Sequence, residues 1–279
     1  MLEYMDIVDN VLNNGTFKEN RTGIRRLTTF CEIFRHNMSD GFPLVTTKSV
    51  PMRVVAVELE GFIKGIRSKK WFQDRKCFIW DEWCNPFLVD PPGSPNRNEQ
   101  MLKEDDLGPI YGCQWRGKDL ATNNVDQLKK VVDTLKSDPN DTRMVVTAWL
   151  PPALEAMALP PCHYAFTLVH IDGTLNLSWK QRSVDVGLGL PFNIASYALL
   201  LKLLAREAGL KEGELVGVLE DCHIYENHIE ALKKQQEREI RELPALKVTG
   251  DSSIFDWTYE DFELTNYNPH PRIKMDVAV

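Results

Sequence analysis

Hydrophobic positions recur along the chain at two spacings. Residues 52–65 carry Val54, Val55, Val57, Leu59, Phe62 and Ile63, and Val125, Leu128, Val131, Val132 and Leu135 follow the helical period up to Asp138-Pro139. Both stretches predict helices packed on a core. Residues 145–149 predict a strand, and 165–171, Asp172-Gly173 and 174–179 predict a β-hairpin, because Asp-Gly supplies the positive-φ turn that hairpins favour. From Ile194 an apolar helix runs to Gly209, followed by a short strand at 215–219 and an amphipathic helix over about 225–240. Residues 84–106, with Asn85-Pro86 and Pro91-Pro92-Gly93-Ser94-Pro95, predict an exposed irregular insert. Helical and strand signals thus alternate as in one α/β domain.

Composition narrows the class. The 279 residues are 43% hydrophobic and 26% charged, with 40 acidic against 33 basic side chains and a net charge of −7. That is an ordinary globular balance, and its sign argues against nucleic acid as principal partner. The start, Met1-Leu2-Glu3-Tyr4-Met5-Asp6, has no basic region or apolar core, so no secretory signal is expected and the cytoplasm is the expected location. Residues 197–205, interrupted by Lys202, are too short to span a bilayer, which needs about 20 apolar residues. Six cysteines without C-x-x-C spacing predict reduced thiols, and His223 and His228, five apart, match no metal-ligand pattern.

Five candidates carry chemistry. Cys162 follows two prolines and precedes His163, which could set a local hydrogen-bond network; a thiolate nucleophile needs such positioning, although a buried inert thiol is the ordinary alternative. Gln181-Arg182-Ser183-Val184-Asp185 suits a phosphate grip by guanidinium and hydroxyl, or equally an exposed strand end. Asn193, after Gly189-Leu190-Pro191-Phe192, offers a bidentate amide or a simple N-cap. His223 and Tyr225 suit a sugar hydroxyl or a capped helix start, and Glu58, amid apolar neighbours, has a raised pKa if it faces inward.

Together with Arg21-Thr22-Gly23, Gly41 to Lys48, Trp80-Asp81-Glu82-Trp83, Leu107 to Gly112 and Pro269-His270-Pro271, these motifs resemble the thymidylate synthase family in order, from Arg21 to Val279. The resemblance implies an α/β fold, a single domain with a large mixed sheet flanked by helices, and a homodimer with the sheets back to back. It implies that Cys162 adds to carbon 6 of dUMP, that Glu58 manages protons through water, that Tyr111 assists removal of the carbon 5 proton, and that Asn193 reads uracil; His163 and Asp185 join this catalytic group. Arg21, Gln181, Arg182 and Ser183, with Arg143 from the partner, would hold the nucleotide and its phosphate, and His223 and Tyr225 the deoxyribose. Lys48, Trp80, Trp83, Asp185, Leu188, Gly189, Phe192 and Val279 would bind methylenetetrahydrofolate, without a metal.

The chain departs from the family pattern at Thr142, where a second arginine is usual, at Gly23-Ile24-Arg25-Arg26, at Leu219-Glu220, and at Gly187 and Gly61, where aromatics are usual. Arg25 or Arg26 would offset the lost cation. The two glycines would open space for water and so favour a dUMP hydroxymethylase, the alternative to methylation; a silent homologue that binds nucleotide or messenger RNA is the alternative from another class.

Overall fold

The computed structural model describes residues 1–20, 23–119 and 123–276. The helices are α1 (Leu2–Asn14), α2 (Met52–Lys64), α3 (Lys69–Asp74), α4 (Arg97–Lys103), α5 (Tyr111–Trp115), α6 (Gln127–Ser137), α7 (Gly189–Ala208) and α8 (Ile229–Gln236). The strands are β1 (Thr16–Lys18), β2 (Arg26–Asn37), β3 (Val145–Thr147), β4 (His163–Ile171), β5 (Thr174–Gln181), β6 (Val184–Asp185), β7 (Lys211–Tyr225), β8 (Ala245–Val248) and β9 (Phe262–Thr265). Among the described residues, seven strands form one sheet in the order β1-β2-β7-β5-β4-β3, with β6 beside the end of β7. Strands β5 and β6 run parallel to β7 and the other pairs are antiparallel, so the sheet is mixed, as expected.

Apolar residues on nearly every side of α7 dictate its place. Leu190, Ile194, Tyr197, Leu200, Leu203 and Leu204 are all buried, and the helix packs on β5, β7, α2 and α6. Gly209, at φ +67°, ends it in the left-handed conformation that glycine adopts without steric cost. The helix begins earlier than expected because Pro191 sits in its first turn, where a missing N–H costs nothing. Asn193 is therefore inside the helix and is not its N-cap.

The other differences also concern where elements end. The strand expected at 215–219 is the middle of the fifteen-residue β7, and the helix expected from Tyr225 is confined to α8. His223 and Tyr225 thus lie on a strand. The segment 84–106 contains a 3-10 turn, Pro86–Leu88, and helix α4, so it is less irregular than expected. No element was expected over β2, whose buried positions change parity from Leu27 to Phe34 and His36; Cys31, at φ +60°, turns the backbone between Phe30↔Asp221 and Glu32↔Leu219 without shifting the register.

Beyond β9 the chain lies across residues 45–50. The Tyr267 hydroxyl accepts from Val50 N–H (2.9 Å) and donates to the Val45 carbonyl (2.8 Å), and His270 N–H donates to Thr46 O (2.8 Å). Arg238 donates to both Thr47 O (2.8 Å) and Pro271 O (2.7 Å), and His228 Nε2 donates to Asp276 O (2.7 Å).

Candidate active site

Two prolines deliver Cys162 to the start of β4, and Arg182, just past the end of the neighbouring strand β5, fixes their loop. Arg182 N–H donates to Cys162 O (2.9 Å), its Nε to Pro161 O (2.9 Å) and its Nη2 to Pro160 O (3.0 Å), with the guanidinium 5.3 Å from the Trp149 ring. From the other side, the Cys162 N–H donates to the Tyr111 hydroxyl at 2.9 Å. Cys162 is half-buried. Burial, together with the adjacent Cys162, holds the Tyr111 phenol well above its ordinary pKa, so it stays protonated.

Aromatic stacking orders the layer beneath. The Tyr111 ring packs against both Phe62 (4.8 Å, 25°) and His163 (4.3 Å, 23°), whose own rings are 6.2 Å apart, and His163 Nδ1 is 3.0 Å from the Tyr197 hydroxyl. Burial lowers the His163 pKa to about 3, so the ring is neutral and lends no cation to the neighbouring thiol.

Helix α2 turns Glu58 inward, leaving it 8% exposed. The Trp80 indole N–H donates to Oε1 at 3.1 Å, and the Trp80 and Tyr111 rings meet edge to face at 6.1 Å. Desolvation raises the Glu58 pKa to about 7, against the opposing effect of the Trp80 hydrogen bond. A carboxyl near neutrality can both give and take a proton at physiological pH.

A second polar group sits where α7 begins. Trp179 Nε1 donates to Gln181 Oε1 (3.1 Å), and Gln181 Nε2 donates to Asn193 Oδ1 (3.0 Å) and to Ser183 O (3.1 Å). The Asn193 amide is thereby oriented from behind. Asp185 Oδ1 accepts from the N–H groups of Gly187 (2.9 Å) and Leu188 (3.0 Å), and Lys48 Nζ donates to Gly187 O. Burial lowers the Lys48 pKa to about 8 although Asp185 pulls it upward. Leu188, Phe192 and Trp83 are partly buried against the core, and a Cβ on Gly189 would meet only ordinary contacts with Asp185 and Asn193.

At the end of β7, Arg26 Nη2 donates to Asp221 Oδ2 (3.1 Å) and its Nη1 lies 3.3 Å from His223 Nδ1, while Tyr225 packs edge to face on His223 at 5.2 Å. These contacts lower the Asp221 pKa to about 2, the His223 hydrogen bond contributing most. Arg25 pairs with Glu226. Both candidate replacements for the lost cation are therefore engaged by carboxylates. Arg143 projects beside β3, 86% exposed and held by Asp141 at 2.6 Å. Arg21 and Val279 lie outside the described residues.

The room for water expected from the two glycines is not there. A Cβ on Gly61 would lie 2.3 Å from the Phe72 ring, and one on Gly187 would lie 3.2 Å from Met275 Sδ and 3.3 Å from His228 Nδ1. Neighbours already fill both places. Sequence reasoning missed Trp179 and Tyr197, the partners of Gln181 and His163, because each contact joins side chains whose meeting depends on the fold. Among the described residues, no group of three or more His, Cys, Asp or Glu side chains is arranged to hold a metal, and no helix is long and apolar enough to cross a membrane.

Comparison with known proteins bears on the same residues. The family model described as thymidylate synthase matches residues 2–279. A bifunctional dihydrofolate reductase-thymidylate synthase of Paramecium tetraurelia is 43% identical over 99% of this chain, which spans 61% of that relative's length. A match that runs unbroken through every strand of the sheet and every loop that carries the site places the chain in the thymidylate synthase family.

Proposed function

We propose that this chain transfers the one-carbon unit of methylenetetrahydrofolate to carbon 5 of dUMP, releasing dTMP and dihydrofolate. The observation that carries the reading is the unbroken series Glu58, Trp80, Tyr111, Cys162, which sets a near-neutral carboxyl and a nucleophile at the two ends of one packed layer. Cys162 adds to carbon 6 of the uracil and pushes its electron pair to carbon 5; this divides a hard substitution into easier steps. Tyr111, kept protonated, assists loss of the carbon 5 proton by hydrogen bonding, and Glu58 relays protons through water. Methylenetetrahydrofolate supplies both the carbon and the hydride that completes the methyl group, and the carbon–sulfur bond then breaks.

Asn193, oriented by Gln181, pairs with the uracil amide edge, while Arg21, Arg182 and Ser183 hold the phosphate and His223 and Tyr225 the sugar. Lys48, Trp80, Trp83, Asp185, Leu188, Gly189, Phe192 and Val279 form the folate side. Support for a homodimer comes from the sheet face turned away from α7, where Phe30 (85% exposed), Ile33, Val169 and Ile171 leave apolar surface in water. A second copy covering that face brings Arg143 to its neighbour's phosphate. The cytoplasm is the compartment where such a chain, with all six cysteines reduced, would work.

Incubation with dUMP and methylenetetrahydrofolate tests the reading: dTMP and dihydrofolate are expected in equal amounts. Hydroxymethyl-dUMP with tetrahydrofolate would overturn it, an outcome that the filled space at Gly61 and Gly187 disfavours.

A further inference from the structure

Lys69 is 2% exposed, yet among the described residues its side chain meets no carboxylate within ion-pair distance. Its ammonium donates instead to three backbone carbonyls, Asp81 O (3.0 Å), Trp83 O (3.3 Å) and Met101 O (2.5 Å). An ammonium has three N–H donors, so each finds one acceptor. Two acceptors lie within the aromatic segment Trp80 to Trp83, and the third belongs to α4. Burying a charge in this way is costly unless all its hydrogen bonds are made, and loss of the cation would leave three half-buried carbonyls short of a donor.

We propose that Lys69 is a positioning residue of the candidate active site: by tying the backbone at Asp81, Trp83 and Met101 into one frame, it holds the Trp80 indole N–H on Glu58. The inference rests on the proposed role of Glu58. Trp80 donates to Glu58, Tyr111 packs against Trp80, and Cys77 also faces the carboxylate. Around the ammonium stand Cys84, Asp81, Asp105 and Glu104. Gln73 adds a lesser tether, its Nε2 donating to Asp81 Oδ1 at 3.0 Å.

Lys69→Met tests this. Carbon-13 NMR of labelled glutamate, with Glu58→Gln identifying the resonance, should show the Glu58 midpoint rising by roughly one pH unit, the tenfold change expected when one hydrogen bond to a charged group is weakened. The Glu58-dependent limb of the kcat profile should move with it, and KM for the folate should rise several-fold while KM for dUMP stays within about twofold, the split expected when binding is lost on one side only. Trp80→Phe should raise the midpoint by itself, and adding Lys69→Met to it should raise it no further. Additive shifts would mean that Lys69 acts elsewhere and would overturn the proposal, as would an unmoved midpoint in folded Lys69→Met. If Lys69→Met does not fold, Lys69→Gln and Gln73→Leu should move the midpoint upward by less, and no movement in either would overturn it. The NMR midpoint needs no turnover, so it decides the matter even if dTMP is not the product.

Discussion

At Glu58 the proposed function and stability pull in opposite directions. Its ordinary pKa of 4.5 rises to about 7 in the fold because burial penalises the carboxylate. The folded state therefore binds the extra proton more tightly than the unfolded state does, and between about pH 4.5 and 7 stability falls as pH rises, by an amount on the order of 3 kcal/mol. Glu58→Gln removes this penalty while keeping an oxygen for Trp80. Its unfolding free energy should match the wild type near pH 4.5 and exceed it increasingly toward pH 7, while turnover falls by about 10²–10⁴ because an amide relays no protons. Denaturant titrations at several pH values, with rate measurements, check both. Cys162→Ser should abolish turnover yet retain dUMP affinity by calorimetry, since the hydroxyl occupies similar space but is a much poorer nucleophile at neutral pH; undiminished turnover would rule out the covalent route. The motif residues themselves were legible because chemistry-bearing types cluster at Cys162-His163 and over Gln181 to Asp185. Their orientation was not, since it depends on Trp179, Tyr197 and Trp80, which reach them through the fold.

At the scale of elements, α2 and α3 meet at the α-carbon of Gly61. Phe72, fully buried on α3, occupies the space that a larger residue at 61 would need. Gly61→Ala should accordingly destabilise the fold by about 1–3 kcal/mol in denaturant titration, the usual cost of overpacking, and Phe72→Leu in the same chain should restore part of it. Elements with strong periodicity were legible: α2, α6 and the β4–β5 hairpin lie where their patterns put them, and Asp172 and Gly173 adopt the positive φ angles of +46° and +77° that the Asp-Gly pair suggested. Strand β2 was not, because the left-handed backbone at Cys31 moves its buried side chains from odd to even positions and destroys the period-two signal. In α1, Tyr4, Ile7, Val8 and Val11 form a helical stripe that a closer count of the first residues finds.

For the whole molecule, the apolar sheet face and the exposed Arg143 make one prediction. If each site takes Arg143 from a neighbour, inactive Cys162→Ala and inactive Arg143→Ala should complement each other when subunits exchange: half of the random dimers are hybrids with one intact site, so about a quarter of full activity should return. No recovery between exchanging mutants would refute a phosphate contact in trans. The central pairing of β2 with β7 also bears on how the chain is made. Leu27 pairs with Ile224, about 200 residues later, and at a ribosomal rate of 5–20 residues per second β2 waits roughly 10–40 s for its neighbour. During that time its unpaired edge, with Phe30 and Ile33 beside it, can bind other chains, so the refolding yield in vitro should fall as concentration rises.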